Sequence, residues 1–223
     1  MLTKCWVRVS ANIRRTVCKE VTMDFTKVKA ALEKRGFAVS VFADAKEASA
    51  YLNREIDGCT LGLGGSVTLK EMGLGESLAS HNEVFWHWAI PEGKTKADVL
   101  AAAQSADMYL LSVNGLAETG EIVNIDGTGN RISAALYGHK KVWFVVGRNK
   151  IAPTYEEALD RARNIAAPKN CVRLGLKTPC AVKGDKCYDC NSPDRICCGL
   201  SVLWTKMLCC DMEVVLVDED LGY

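Results

Sequence analysis

Long hydrophobic runs are missing from this chain of 223 residues. The most apolar stretch, Val142–Val146, falls far short of the ~20 residues that a membrane-spanning helix needs. A bilayer span is therefore not expected. Met1–Lys19 interleaves its apolar residues with Lys4, Arg8, Arg14, Arg15 and Lys19 and lacks the apolar core of a secretory signal, so the expected location is the cytoplasm. An excess of one charge is missing too. Lys plus Arg number 28 against 27 Asp plus Glu, with no basic stripe, which argues against nucleic acid or an anionic membrane surface as partner. Internal repeats and low-complexity stretches are likewise absent. With 48% hydrophobic and 25% charged residues, the composition is that of a folded globular chain of one large domain, not a disordered one.

Histidine is scarce: His81 and His87 flank an aromatic run containing Trp86 and Trp88, His139 follows a helix end, and all three read as structural. Cysteine is the exception. Of 11 cysteines, Cys5 and Cys18 lie in a weakly periodic N-terminal extension, residues 1–22, and eight fall at or after Cys171. A chain long enough to build its own core does not need a disulfide scaffold, so clustered thiols point to metal or redox chemistry.

From Asp24 the periodicity alternates. Phe25, Val28, Ala31 and Leu32 mark a helix that Gly36 stops, and Phe37–Phe42 reads as a strand. Helices follow at 47–56, 67–72, 76–81, 96–105 behind a Thr95 cap, 131–136, and 155–165 behind Thr154. Strands are expected at 59–63, 84–88, 108–113, 122–125, 142–146 and 214–217, a last helix within 198–207, and an irregular Cys-rich insertion at 168–199. Strands separated by helices give an α/β fold, a mostly parallel sheet flanked by helices, with ligand loops at the carboxyl ends of the strands.

Four groups could carry chemistry. Gly64, Gly65, Ser66 and Thr68 follow a strand and open a helix, where glycines allow positive φ and close backbone approach, and N–H groups with hydroxyls hold a carboxylate or phosphate. The spacing fits neither GxxxxGK[ST] nor GxGxxG. Asn114 and Glu118 follow another strand; Glu118 is a candidate general base or nucleophile, or else a solvated turn acid. Asp126, Asn130 and Arg131, with Arg148 and Lys150 downstream, form two loops able to flank one pocket. Finally, Cys180-x6-Cys187-x2-Cys190-x6-Cys197 brings four thiolates within chelating reach, suited to a [4Fe-4S] cluster or, alternatively, zinc, with free or redox-paired thiols as the third reading.

The loops Gly64-Gly65-Ser66-Val67-Thr68-Leu69, Asn114–Gly120, Asp126–Arg131 and Gly147–Lys150 together resemble the LUD (lactate utilisation) domain family over residues 24–223. The resemblance implies a fold similar to the NagB, ribose-5-phosphate isomerase and CoA-transferase superfamily, with the glycine loop cradling an anionic ligand. It also implies a redox subunit linked to lactate oxidation, with a small anionic metabolite as ligand and an electron-transfer partner protein; self-association into a homo-oligomer is a separate expectation that the resemblance does not supply. The cysteine spacing here departs from the ferredoxin-like pattern C-x2-C-x2-C-x3-C-P. The rival reading is a metabolite-binding or regulatory module with structural zinc.

Overall fold

A computed structural model describes residues 23–223; the N-terminal extension, with Cys5 and Cys18, lies outside the described residues. Helix α1 (Thr26–Lys34) buries Val28 and Leu32, and Gly36 at φ 87° turns the chain into strand β1 (Ala38–Phe42). Helix α2 (Ala45–Glu55), capped by Asp44, leads to β2 (Thr60–Leu63), and short helices α3 (Val67–Glu71) and α4 (Leu74–Ala79) lead to β3 (Glu83–Trp86). Thr95 and Asp98 form a reciprocal capping box that starts α5 (Lys96–Gln104), after which β4 (Met108–Ser112) enters the sheet.

The chain then leaves the main sheet. Strands β5 (Gly115–Ala117) and β6 (Ile122–Asp126) form a hairpin, followed by α6 (Asn130–Leu136) and β7 (Lys141–Gly147). Strand β8 (Ile151–Ala152) precedes α7 (Tyr155–Arg161), a π-helical turn at Ala162–Ala166, α8 (Ala167–Arg173) and α9 (Pro179–Lys183). Strands β9 (Gly199–Leu203) and β10 (Asp211–Val217) complete the described elements.

Six strands pair in the order β1-β10-β7-β4-β2-β3, every pair parallel, so the α/β architecture read from the sequence is the one observed. Parallel strands joined by helical crossovers are covered on both faces, and the side chains show it. Val142, Phe144 and Val146 join Phe25, Val28 and Leu32 on one side, while Trp143 and Val145 join Leu52, Leu69 and Leu78 on the other. Among the described residues no helix is long and apolar enough to cross a membrane.

A second sheet, order β8-β5-β6-β9, is absent from the sequence reading. Its β5 and β8 have three and two residues, too short to show a period. The helix expected within 198–207 is instead strand β9, paired antiparallel with β6 from Gly199↔Asp126 to Leu203↔Ile122. A short apolar run fits either period, and the free edge of β6 decides it. The insertion expected to be irregular from residue 168 is helical as far as Arg173. Pro168 is the second residue of α8, just after the π turn, where its missing N–H interrupts no regular i→i−4 ladder.

Close packing behind the glycine loop sets one stability test. A Cβ at Gly62 would lie 2.4 Å from the Ala103 carbonyl oxygen and 2.5 Å from the Tyr109 ring. Gly62→Ala is expected to lower the unfolding free energy by about 2–3 kcal/mol, read by urea denaturation.

Candidate functional site

The loops at the carboxyl ends of β2, β4, β6 and β7 open onto a cleft of about 430 Å³. Gly65, Ser66 and Thr68 form one wall, Asn114 and Ser112 the floor beside β4, Asp126, Asn130 and Arg131 another wall, and Lys150 lies beneath. Eight of the loop residues singled out in the sequence thus share one cavity with residues they were not grouped with, among them His87, Lys96, Ser112, Arg173, Arg195 and Tyr223.

The two loop glycines act differently from the sequence expectation. Neither Gly64 nor Gly65 has positive φ. A Cβ at Gly64 would lie 3.1 Å from Cγ of Arg131, and one at Gly65 would lie 2.9 Å from Nε2 of His87. Their lack of a side chain lets Arg131 and His87 lie against the loop. Ser66 caps α3, its Oγ accepting from the Leu69 N–H at 3.3 Å, and Thr68 is fully buried below.

The charge around the cleft is lopsided. Lys96, Arg131, Lys150, Arg173 and Arg195 face it, and among the described residues Asp126 is the lone side-chain carboxylate in its lining. That carboxylate is already engaged, accepting from the backbone N–H groups of Gly127 at 2.8 Å and Arg131 at 2.9 Å, with the Arg131 guanidinium 3.7 Å away. Arg131 also donates to the Ile125 carbonyl at 2.5 Å, so both ends of the β6–α6 turn fix it. Arg173 stacks over Trp88, 5.0 Å from the ring centroid, and donates to the Tyr223 hydroxyl at 2.8 Å.

Lys150 is 3% exposed, and both hydrogen bonds it makes among the described residues go to hydroxyls: Thr68 Oγ1 at 2.8 Å and Ser112 Oγ at 2.8 Å. Burial pushes its ammonium down to about 7, with Arg161 and Arg131 adding in the same direction. His87 is also lowered, by burial and then by Lys96, and its Nδ1 has no hydrogen-bond partner among the described residues. Behind the floor, Arg161 donates to the carbonyls of Asn149 at 2.8 Å and Asn114 at 2.6 Å, tying the loops after β4 and β7 together.

Three other candidates lie outside the lining. Glu118 accepts from Lys27 Nζ at 2.7 Å, and Arg148 pairs with Asp218 and Asp220. Gly64 sits behind the wall, under Arg131. Glu118→Gln is expected to leave anion affinity within about twofold, since exposed pairs of this kind carry ~1 kcal/mol or less and this one does not face the cleft; calorimetric titration of the variant checks it.

The four cysteines are spread over this region. Cys180 is buried on α9, its Sγ 3.2 Å from Thr178 Oγ1; Cys187 accepts from the Asp189 N–H at 3.4 Å in a left-handed turn; Arg195 donates to the Cys190 carbonyl at 2.7 Å; and Cys197 reaches the cleft wall. Among the described residues no three His, Cys, Asp or Glu side chains form a group that could hold a metal ion.

The model of the LUD domain family matches residues 25–217. The chain belongs to the LUD domain family. The LUD domain described here is similar in fold to a DUF162 family protein from Deinococcus radiodurans whose crystal structure is known at 1.70 Å resolution, with a TM-score of 0.50 and 14% identity over 87% of this chain and 99% of that one. Comparison with curated proteins gives no match. Of the cleft residues that the sequence reading missed, Ser112 carries a usable signal: in this LUD domain it is a hydroxyl ending an apolar strand, two residues before Asn114. Arg173 and Tyr223 reach the cleft from elements remote in the chain and carry none.

Proposed function

We propose that this LUD domain binds a small anionic metabolite, a carboxylate or a phosphate, in the cleft between the Gly64–Thr68 loop and Arg131. The observation that carries the reading is four cationic side chains, Lys96, Arg131, Arg173 and Arg195, around a cavity whose lone side-chain carboxylate among the described residues is occupied by its own turn. Arginines present paired donors to a carboxylate or phosphate, and a partly enclosed cleft weakens the competition from water. Ser66, Asn114 and Asn130 supply uncharged donors at the rim and floor, and Tyr223 with Arg173 borders the open side. A role in the oxidation of a 2-hydroxy acid is the activity the family suggests, with the anion's carboxylate held by Arg131.

A four-cysteine iron–sulfur or zinc centre at Cys180, Cys187, Cys190 and Cys197 is a separate reading; among the described residues no group of three metal-ligating side chains is assembled. No part of the proposal runs through such a centre.

A thermal-shift screen at constant ionic strength tests the proposal, comparing lactate, inorganic phosphate and ribose 5-phosphate with glucose and putrescine. A ligand present at about 100 times its Kd stabilises the folded state by about 2.7 kcal/mol. For a chain of this size that corresponds to a rise of roughly 5–10 °C. At least one anion should give a shift of this order while the neutral and cationic compounds give none; equal response to all classes, or to none, rejects the reading.

A further inference from the structure

The hydroxyl protons around Lys150 run in one direction. Ser112 donates to Thr68 Oγ1 at 3.3 Å, and Thr68 donates to the Leu221 carbonyl at 3.2 Å. Each hydroxyl has therefore committed its proton, and towards Lys150 both are acceptors, at 2.8 Å each. A neutral amine satisfies this arrangement, spending two N–H donors on the two oxygens and leaving its lone pair unclaimed; an ammonium would leave a third N–H without an acceptor in a buried site. The charged groups that bear on it are Arg161 and Arg131, which disfavour the ammonium, and Glu71, which favours it but accepts from the Gly222 N–H at 2.6 Å. The depressed ammonium described above agrees with this geometry.

The geometry points to Lys150 as a nucleophile that forms an imine with the carbonyl carbon of an anionic 2-oxo acid or aldehyde phosphate held in the cleft. The inference rests on the anion-binding reading and names its substrate class. The Nζ lone pair adds to the carbonyl carbon as the C=O π pair moves to oxygen. That oxygen takes up a proton and nitrogen gives one up, forming a carbinolamine. Nitrogen then expels the hydroxyl, which leaves with a proton as water, and a C=N bond remains. One carbonyl and one amine give one imine and one water, so no oxidant or reductant is consumed. Ser112 Oγ and Thr68 Oγ1, in contact with Nζ, are placed to relay these protons.

The test uses the whole chain. Glyoxylate and glyceraldehyde 3-phosphate are each incubated with the protein and cyanoborohydride near neutral pH, and adducts are located by peptide mass mapping; glycolate, an anion without a carbonyl, serves as competitor. Trapping at Lys150 is expected to exceed that at any other lysine by about tenfold or more, since ordinary lysines with pKa ~10.4 are almost wholly protonated there. Glycolate should suppress it, and Lys150→Gln should abolish it. Competitive acetylation across pH, which needs no ligand, should give Lys150 a midpoint near neutrality. Calorimetric binding of the anions without an adduct at Lys150 overturns the imine and leaves anion binding standing; absence of both binding and adduct removes both. A Lys150 that acetylates like surface lysines, or that no reagent reaches, overturns the imine whatever binds.

Discussion

Between pH 7 and pH 10.5 the unfolding free energy of the protein is expected to rise by about 4 kcal/mol more than that of a Lys150→Met variant. The sign follows from which state holds the proton. In the unfolded chain Lys150 keeps the ordinary lysine value, whereas in the fold burial first, then Arg161 and Arg131, lower it to about 7. Across that window the unfolded state binds more protons than the folded one, so stability increases with pH. Below about pH 7 both states carry the charge, and the full penalty of burying it is present. Removing the amine removes this slope, and the variant should be the more stable protein at neutral pH. Urea titrations of both proteins at the two pH values give the double difference, in which groups common to both cancel. A slope shared equally by the variant would show that Lys150 keeps an ordinary proton affinity in the fold.

Arg131→Leu should weaken binding of the cleft's anion by about 100-fold or more. Two effects add. The variant loses a charge-assisted hydrogen-bond donor of roughly 1.5–3 kcal/mol, where 1.4 kcal/mol is tenfold in affinity. It also leaves Asp126, which is 8% exposed, as a carboxylate without its guanidinium in the same cavity. Asp126 keeps its backbone donors at Gly127 and residue 131, so the β6–α6 turn should still form. Adding Asp126→Asn should recover part of the lost affinity, because the repulsion goes while the donor stays absent. A double-mutant cycle by calorimetry separates the two contributions. Independent, additive effects of the two substitutions would show that the Arg131–Asp126 pairing does not shape the site.

Much of this site was legible before any coordinates, for reasons that particular residues make plain. The run Met108–Leu111 is apolar because β4 is buried on both faces, and the polar residues that end and follow such strands fall at their carboxyl ends. That single rule placed Ser66, Thr68, Asn114, Asp126, Asn130 and Lys150 in one cavity. The same rule proposed Glu118, which lies four residues beyond Asn114. There the chain has already turned into the second sheet, and β5 carries Glu118 towards Lys27 instead. That sheet is invisible locally, since its strands are short and hold each other through pairings such as Leu116↔Ile151 and Ile122↔Leu203.

The loop glycines were legible in position but not in cause. Gly64 and Gly65 answer to Arg131 and His87 lying across them, not to a backbone turn, and nothing in the local sequence records which side chain will arrive from 22 or more residues away. Spacing drew Cys180 and Cys190 into one set; in the fold Cys180 lies on a helix beside Thr178 and Cys190 on the turn that Arg195 holds. Ligand-like spacing measures reach along the chain; helix α9 and the left-handed turn at Asp189 determine where each thiol ends up.

The most direct test of anion binding at this cleft is a calorimetric titration of the strongest ligand from the thermal-shift screen, run in parallel on the unmodified chain, Arg131→Leu and Glu118→Gln. The account predicts one saturable site per chain, an affinity that falls with added salt, a loss of about 100-fold in Arg131→Leu, and no material change in Glu118→Gln. Equal affinity in the unmodified chain and Arg131→Leu, or a loss confined to Glu118→Gln, would contradict it and move the binding site away from the cleft.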